Sequence, residues 1–374
     1  MSLSVGNSGA FKNNENKFDL ILFFIVLAIF SLGLLNIYSA MSQASISASS
    51  YIVKQSIWGA IGILICVGMY FFDYRIFEKF GYVFYIINLI FLALVPFIGS
   101  LRSGARRWID LGFASFQPSE SMKLFIIIAL AKWLHNRRSK GSLNWKDLSI
   151  PILIIFVPFI LIISQPDLGT SGHLLIIGSI MLFFYGLKKQ IIWTVLLISI
   201  ISLPVAWQYG LKSYQKDRIL TFLDPASDPK GKGFNAIQSM IAVGSGRITG
   251  KGFKKGTQTQ LNFTPEKHTD FIFTVLAEEW GFLGVSLLMF LYFFLFQRAI
   301  SIISLAREKF GALLGVGILT LLISQLTINL AMVCGIFPIV GIPLPLMSYG
   351  GTSLLFCLIS IGIILNIGQK RNIF

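Results

Sequence analysis

Apolar residues along this chain fall in long, nearly uninterrupted blocks separated by short polar connections. Ten such blocks stand out: Phe18–Tyr38, Ile52–Phe72, Tyr82–Ile98, Ser119–Leu134, Ser149–Ile163, Thr170–Tyr185, Ile191–Trp207, Phe271–Phe296, Phe310–Cys334 and Leu346–Ile367. They are too long for strands and have the length and apolarity of membrane-crossing segments. In hydrocarbon a helix satisfies all its own backbone hydrogen bonds. The pattern predicts an all-α polytopic membrane protein with about ten transmembrane helices, one domain spanning residues 1–374. One polar interruption is too long to be a connection. The segment 208–270, read from Tyr209 to Asp270, is a large loop outside the bilayer, and its last residue abuts the next apolar block.

Composition agrees with the pattern: 55% of the 374 residues are hydrophobic and 13% charged, where a soluble domain carries about 25% charge. The distribution of Lys and Arg orients the helices, because short cytoplasmic connections are enriched in both. With the N-terminus inside, the inner segments hold Lys12, Lys17, Arg75, Lys79, Lys132, Arg137, Arg138, Lys140, Lys146, Lys188, Lys189, Arg298, Arg307, Lys309, Lys370 and Arg371. The short outer connections 40–51, 164–169 and 335–345 hold none. Both termini are expected on the cytoplasmic side. The exception is the outer loop 99–117, with Arg102, Arg106 and Arg107. The net charge of +15 arises mostly from this inner bias and the long loop, so it gives no argument for nucleic acid. The first block is too long for a removable signal peptide. Cys66, Cys334 and Cys357 lie in or at the ends of apolar blocks and read as small buried hydrophobes. The Ser-rich stretch 42–50 reads as an exposed linker.

Charged groups inside apolar blocks mark functional candidates, because hydrocarbon penalises them. Glu120 and Lys123 are three residues apart at the start of the fourth block, on one helix face. They read as a structural ion pair, with direct substrate contact as the alternative. Arg106, Arg107 and Trp108 place two guanidiniums beside an indole in the arginine-bearing outer loop. An anion site is favoured there over a surface anchor, since Arg suits bidentate phosphate contacts. Asp167, in Gln165-Pro166-Asp167-Leu168, reads as a helix cap. Of the adjacent Glu278 and Glu279, at least one must face the bundle or a polar cavity. Ser324, Gln325 and Asn329 suggest interhelical hydrogen bonds. His135 and His173 share no metal-ligand spacing. The Pro- and Gly-rich run from Gly341 to Ser353 breaks an apolar region, which fits a hinge or a substrate groove.

The long loop carries ten Lys or Arg residues and a Gly-rich core, Gly244–Gly252. Glycines allow a backbone to approach an anion closely, although the spacing is not that of a nucleotide-binding loop. Asn235–Val243 reads as a short amphipathic helix on the membrane surface. The loop closes on Pro265-Glu266-Lys267-His268-Thr269-Asp270.

Taken in order, the motifs GARRWIDLGFASFQPSE, QPDLGTS, RILTFLDPASDP, GKGFKKGTQTQL, PEKHTDFIF and GIPLPLMSYGGTS resemble the SEDS family of bacterial cell-wall polymerases over nearly the whole chain. The segments GTQTQL and GIPLPLMSYGG lean to the elongation branch over the division branch. Thr264 and Trp280 stand where the family has aliphatic residues, and Arg247 where it has Gly or Ser. The resemblance implies a glycosyltransferase in the bacterial cytoplasmic (inner) membrane that polymerises lipid II and releases undecaprenyl pyrophosphate. It implies Asp270 as general base, and Arg106, Arg107, Trp108, Glu120, Lys123, Lys267 and His268 as substrate-binding residues. It also implies a class B penicillin-binding protein as partner. A divalent cation, Mg2+ or Mn2+, at the pyrophosphate is chemically reasonable, although no dedicated cage is legible. The rival readings are a lipid II flippase, which ten spans and a broken helix would also suit, and a noncatalytic scaffold for the transpeptidase.

Overall fold

The computed structural model describes residues 18–42, 48–102, 104–110, 112, 115–137, 141–210, 213–228, 231–260 and 266–369. In chain order the long helices are α1 (Leu20–Ala40), α2 (Ala48–Phe71), α3 (Arg75–Ile98), α4 (Pro118–Asn136), α5 (Ser149–Ser164), α6 (Leu168–Tyr185) and α7 (Lys189–Val205). The shorter α8 (Ser213–Leu223), α9 (Lys232–Ser245) and α10 (Thr257–Gln260) follow, then the long α11 (Ile272–Ser304), α12 (Lys309–Val333) and α13 (Gly351–Gln369). The ten long helices correspond one to one with the ten apolar blocks. Eight are long and apolar enough to cross a membrane. Of the others, α4 carries Glu120, Lys123 and Lys132, and the apolar part of α7 is the shorter stretch Lys189–Ser202.

The core lies along α4, α12 and α13, with α4 buried almost from end to end. Many outward side chains of α2, α3, α5 and α7 are apolar and exposed, as a lipid-facing surface requires. Polar side chains join the helices at specific points. Asn88 on α3 donates to the Pro118 carbonyl (3.0 Å) and accepts from the Ser121 hydroxyl (2.6 Å), which fixes the start of α4. Gln165 donates to the Leu92 carbonyl (2.8 Å). Asn366 near the end of α13 donates to the Met69, Tyr70 and Phe72 carbonyls and accepts from the Tyr74 amide.

Two boundaries move for physical reasons. α3 begins at Arg75, about two turns before the apolar block, since Arg75, Glu78 and Lys79 continue the helix beyond the apolar stretch. α13 begins at Gly351 and not at Leu346, because Pro343, Pro345 and the left-handed Leu346 (φ 64°) keep 341–350 out of helix. The linker expected to reach Ser50 ends earlier, with α2 starting at Ala48; its residues 43–47 lie outside the described set. Cys334, expected buried, is exposed at the end of α12.

The arginines of the 99–117 loop sit on a small antiparallel sheet, β1 (Ser100–Arg102), β2 (Ala105–Asp110) and β3 (Ser115–Phe116). Ser100 pairs with Trp108, and Asp110 with Ser115. In the 206–270 segment, α9 extends beyond the predicted Asn235–Val243 and docks on α11 and α12, its Ser239 hydroxyl donating to the Val333 carbonyl at 3.1 Å. The Gly-rich core packs on α11. It lets backbone meet backbone: an added Cβ at Gly250 (φ 76°) would lie 2.1 Å from the Glu279 carbonyl oxygen. α11 bends at Gly281 (φ 61°, ψ −158°), where this loop crosses it.

Candidate active site

The last turn of the long segment, Glu266–Asp270, is strapped to the broken stretch before α13. The Tyr349 amide donates to the His268 carbonyl (2.9 Å), and the Ser348 hydroxyl to the Thr269 carbonyl (2.7 Å). Ser348 also accepts from the Leu344 amide at 2.8 Å. Asn329 on α12 donates to both the Asp270 carbonyl (2.9 Å) and the Ile342 carbonyl (2.7 Å). The expectation of an interhelical bond therefore holds for Ser324, which meets His173 at 2.6 Å, while Asn329 instead fixes the two loops together. Gln55 on α2 completes the frame, donating to the Ser348 carbonyl (3.0 Å) and accepting from the Gly350 amide (3.2 Å). The Gly341–Ser353 run is thus both a support and a wall of the site.

This frame closes one side of a cleft of about 940 Å³. Asp270, Thr269, His268 and Glu266 line it from the turn. Lys54 and Trp58 line it from α2, Arg107, Trp108 and Asp110 from β2, Glu120 from α4, Asp167 and Thr170 from α6, and Tyr349 from the broken stretch. The Asp270 carboxylate is half-buried against Gly341, where an added Cβ would come within 3.1 Å of its Oδ2. Burial pushes the Asp270 carboxyl up to about 7, and the carboxylates Glu266, Asp167 and Glu120 push it the same way. A carboxyl poised there exchanges a proton near neutral pH.

The other expected residues divide. Glu120 lines the cleft and is paired with Lys123 at 2.7 Å, both buried, so the structural ion pair and the cavity wall are one feature. Removing either partner of such a pair costs about 3–5 kcal/mol. The two arginines are adjacent on β2 but their guanidiniums find different partners. Arg107 lines the cleft, its guanidinium donating to the Gln165 (3.1 Å) and Pro166 carbonyls. Arg106 is exposed and donates to the Pro96 carbonyl at 3.1 Å. Lys267 turns behind the cleft and donates to the Thr259 carbonyl (2.6 Å), with burial holding its pKa below the usual lysine value and Glu279 partly offsetting that. His268 lies among Tyr51 and Tyr349, ring centroids 5.2 and 5.6 Å away, and burial lowers its pKa, so the imidazole is neutral at pH 7.

Asp167 caps α6 by accepting from the Thr170 amide at 3.1 Å, as expected, and also faces the cleft. Lys54 and Trp58 join the site without a local signal in the sequence, while Asp110, Glu266 and Tyr349 lie within the motifs but are not singled out by them. Among the described residues no group of three His, Cys, Asp or Glu side chains converges to hold a metal ion. The cleft carboxylates therefore form no cage of their own.

Three comparisons bear on this arrangement. A family model described as "Cell cycle protein", FTSW_RODA_SPOVE, matches residues 19–373. The chain is 39% identical over 347 residues to the peptidoglycan glycosyltransferase MrdB of Escherichia coli, covering 93% of this chain and 92% of that protein. Among solved structures, it resembles a chain from a study of how a peptidoglycan synthase complex coordinates polymerization and crosslinking, with TM-score 0.81 and 34% identity over 96% of this chain and 99% of that one. It also resembles the rod shape determining protein RodA of Thermus thermophilus, with TM-score 0.71 and 29% identity over 95% and 98% of the two chains.

Proposed function

Because the chain belongs to the family of FtsW, RodA and SpoVE, the SEDS family, and stands on its RodA side, we propose that it is a peptidoglycan glycosyltransferase that polymerises lipid II during cell elongation. The observation that carries the reading is the Asp270 carboxyl, raised to about 7 and facing a polar cleft that also offers a guanidinium and two indoles. Glycosyl transfer with inversion from an undecaprenyl-pyrophosphate-linked donor to a sugar hydroxyl needs a base for the hydroxyl proton and positive charge where pyrophosphate departs. Asp270 is the base. Arg107 supplies charge from a fixed mount, since two carbonyls hold its guanidinium. Pyrophosphate leaves without an acid's help, so a second catalytic carboxylate of the kind hydrolases use is not required. Glu120 and Lys123 shape the wall. Arg106 and Lys267, committed to carbonyls outside the cleft, support the sheet and the turn. A divalent cation would be held chiefly by the substrate's own phosphates, as the described residues offer no cage. The positive-inside count supports a cleft on the outer face of the cytoplasmic membrane with both termini in the cytoplasm. The partner of this reading is a class B penicillin-binding protein, which crosslinks the strands made here.

The test is polymerisation of lipid II by the purified protein as pH is varied. The base must be ionised, so the rate is expected to rise about tenfold per pH unit below about 7 and level off above it. A rate flat from pH 5.5 to 8.5 removes Asp270 from the role. If the pure protein makes no polymer while lipid II crosses vesicles that carry it, the transporter reading replaces this one.

Gly341 offers a second check. It combines positive φ (76°) with contact to Asp270, so Gly341→Ala meets both backbone strain and a methyl at 3.1 Å from Oδ2. The strain costs about 1–2 kcal/mol of stability. Because the methyl displaces the carboxylate itself, polymerisation is expected to fall well beyond the loss of folded protein. Melting temperature and turnover, measured on one preparation, separate the two effects.

A further inference from the structure

Among the described residues the cleft is lined by five carboxylates, Asp110, Glu120, Asp167, Glu266 and Asp270, and by two Lys or Arg side chains, Lys54 and Arg107. Any ligand with a diphosphate must find cations within this acidic surround. The neighbouring cations are committed: Lys123 to Glu120, Lys267 to the Thr259 carbonyl, Arg106 to the Pro96 carbonyl. Arg107 keeps its charge but has part of its fork turned to the 165–166 carbonyls. The Lys54 ammonium lines the cleft with no hydrogen bond or ion pair to a described residue.

Lys54 is also well mounted. It is one turn from Trp58, which places both on one face of α2. The Trp58 indole packs against Gly351, where an added Cβ would lie 2.6 Å from Nε1. Between them Gln55 clamps the 348–350 backbone, which in turn bonds to the carbonyls of His268 and Thr269. Lys54 therefore rides on the same hydrogen-bonded frame as Asp270, whereas Arg107 rides on β2.

Resting on the polymerase reading, the geometry points to Lys54 as the cation that grips the diphosphate of a lipid-linked sugar from the α2 wall, independently of Arg107. Strand synthesis brings two such diphosphates into one site, one that departs and one that stays with the acceptor. Two cations on two separate elements suit that requirement better than a single cluster. A lysine serves here as a point charge on a flexible stem, with no demand for bidentate geometry.

The same ammonium could meet the phosphate of a bulk phospholipid, and binding measurements separate the two. The probes are undecaprenyl diphosphate and phosphatidylglycerol in detergent micelles, titrated into the full-length wild-type protein, Lys54→Gln and Lys54→Arg. Loss of a charge-assisted contact is expected to weaken undecaprenyl diphosphate binding about tenfold in Lys54→Gln. Phosphatidylglycerol binding should stay unchanged, and Lys54→Arg should restore diphosphate binding to within a few-fold of wild type. Unchanged diphosphate binding in Lys54→Gln overturns the assignment. So does an equal loss for both lipids, which marks a headgroup contact, or a failure of Lys54→Arg to restore binding in a protein that melts normally. Binding needs no turnover, so the outcomes stay distinct. A wild-type protein that makes no polymer yet shows the Lys54 pattern sinks the polymerase reading and leaves the diphosphate site standing.

Discussion

Replacing Asp270 with asparagine is expected to abolish lipid II polymerisation by the purified protein, with a rate loss on the order of 10²–10⁴ or more. The amide matches the carboxylate in shape and cannot accept the hydroxyl proton. The fold should survive, because the turn is held through backbone atoms: Asn329 donates to the Asp270 carbonyl, and Ser348 and Tyr349 bond to the carbonyls of the two residues before it. Linkage sharpens the control. The folded-state pKa of about 7 stands above the ordinary value of 3.8, so the ionised carboxylate is the disfavoured form in the folded protein. Its burial opposes folding once pH exceeds the unfolded-state pKa, and fully so above about 7. Asp270→Asn removes that penalty, so at pH 8 the variant should melt no lower than wild type. Loss of activity together with loss of folding would leave the base unassigned; polymer made at the wild-type rate would eliminate it.

Much of this was legible in the sequence because the bilayer imposes a coarse code. Blocks of apolar residues gave ten helices in register with those observed, and Asp270, Glu120, Arg107, Trp108 and His268 do line one cleft. What escaped depends on neighbours distant in the chain. Arg106 and Arg107 look equivalent until their partners separate them, the Pro96 carbonyl for one and the Gln165 and Pro166 carbonyls for the other. Lys54 sits at the mouth of an apolar block, where a lysine ordinarily extends its stem to the interface and signals nothing. Its meaning comes from Gln55, whose partners are almost three hundred residues away. Lys267 matched the motif as well as His268 did, yet one faces Thr259 and the other the cleft. The glycines of 244–252 left a close approach to an anion open, and no local pattern revealed that Gly246 and Gly250 pack on the backbone of α11.

Glu278 shows the same limit and carries the second large effect. Its position six residues into α11 suggested that it or Glu279 faces the bundle or a polar cavity, and left open what either would hold. The buried carboxylate accepts from the Lys251 ammonium (2.7 Å), the Gln258 amide (2.9 Å), and both the amide (3.0 Å) and hydroxyl (2.9 Å) of Thr259. It thereby organises α10 and the stretch before it, while adjacent Glu279 faces the other way and accepts from Ser39 on α1. Glu278→Ala would strand a cation and several buried donors at once, a loss of about 3–5 kcal/mol. The loss should be local, because those donors belong to residues 251–260 and not to the helix bundle. Hydrogen exchange should show protection collapsing across 251–260 while α4 and α12 keep theirs. Activity should fall with it, because Lys267 anchors the Asp270 turn on the Thr259 carbonyl that Glu278 holds in place. Glu278→Gln keeps the acceptor oxygen and loses the charge, so it should fall between the two. Protection in Glu278→Ala equal to wild type would mean that the segment is held by its backbone contacts at Gly246 and Gly250 alone, and that the carboxylate is dispensable to the site.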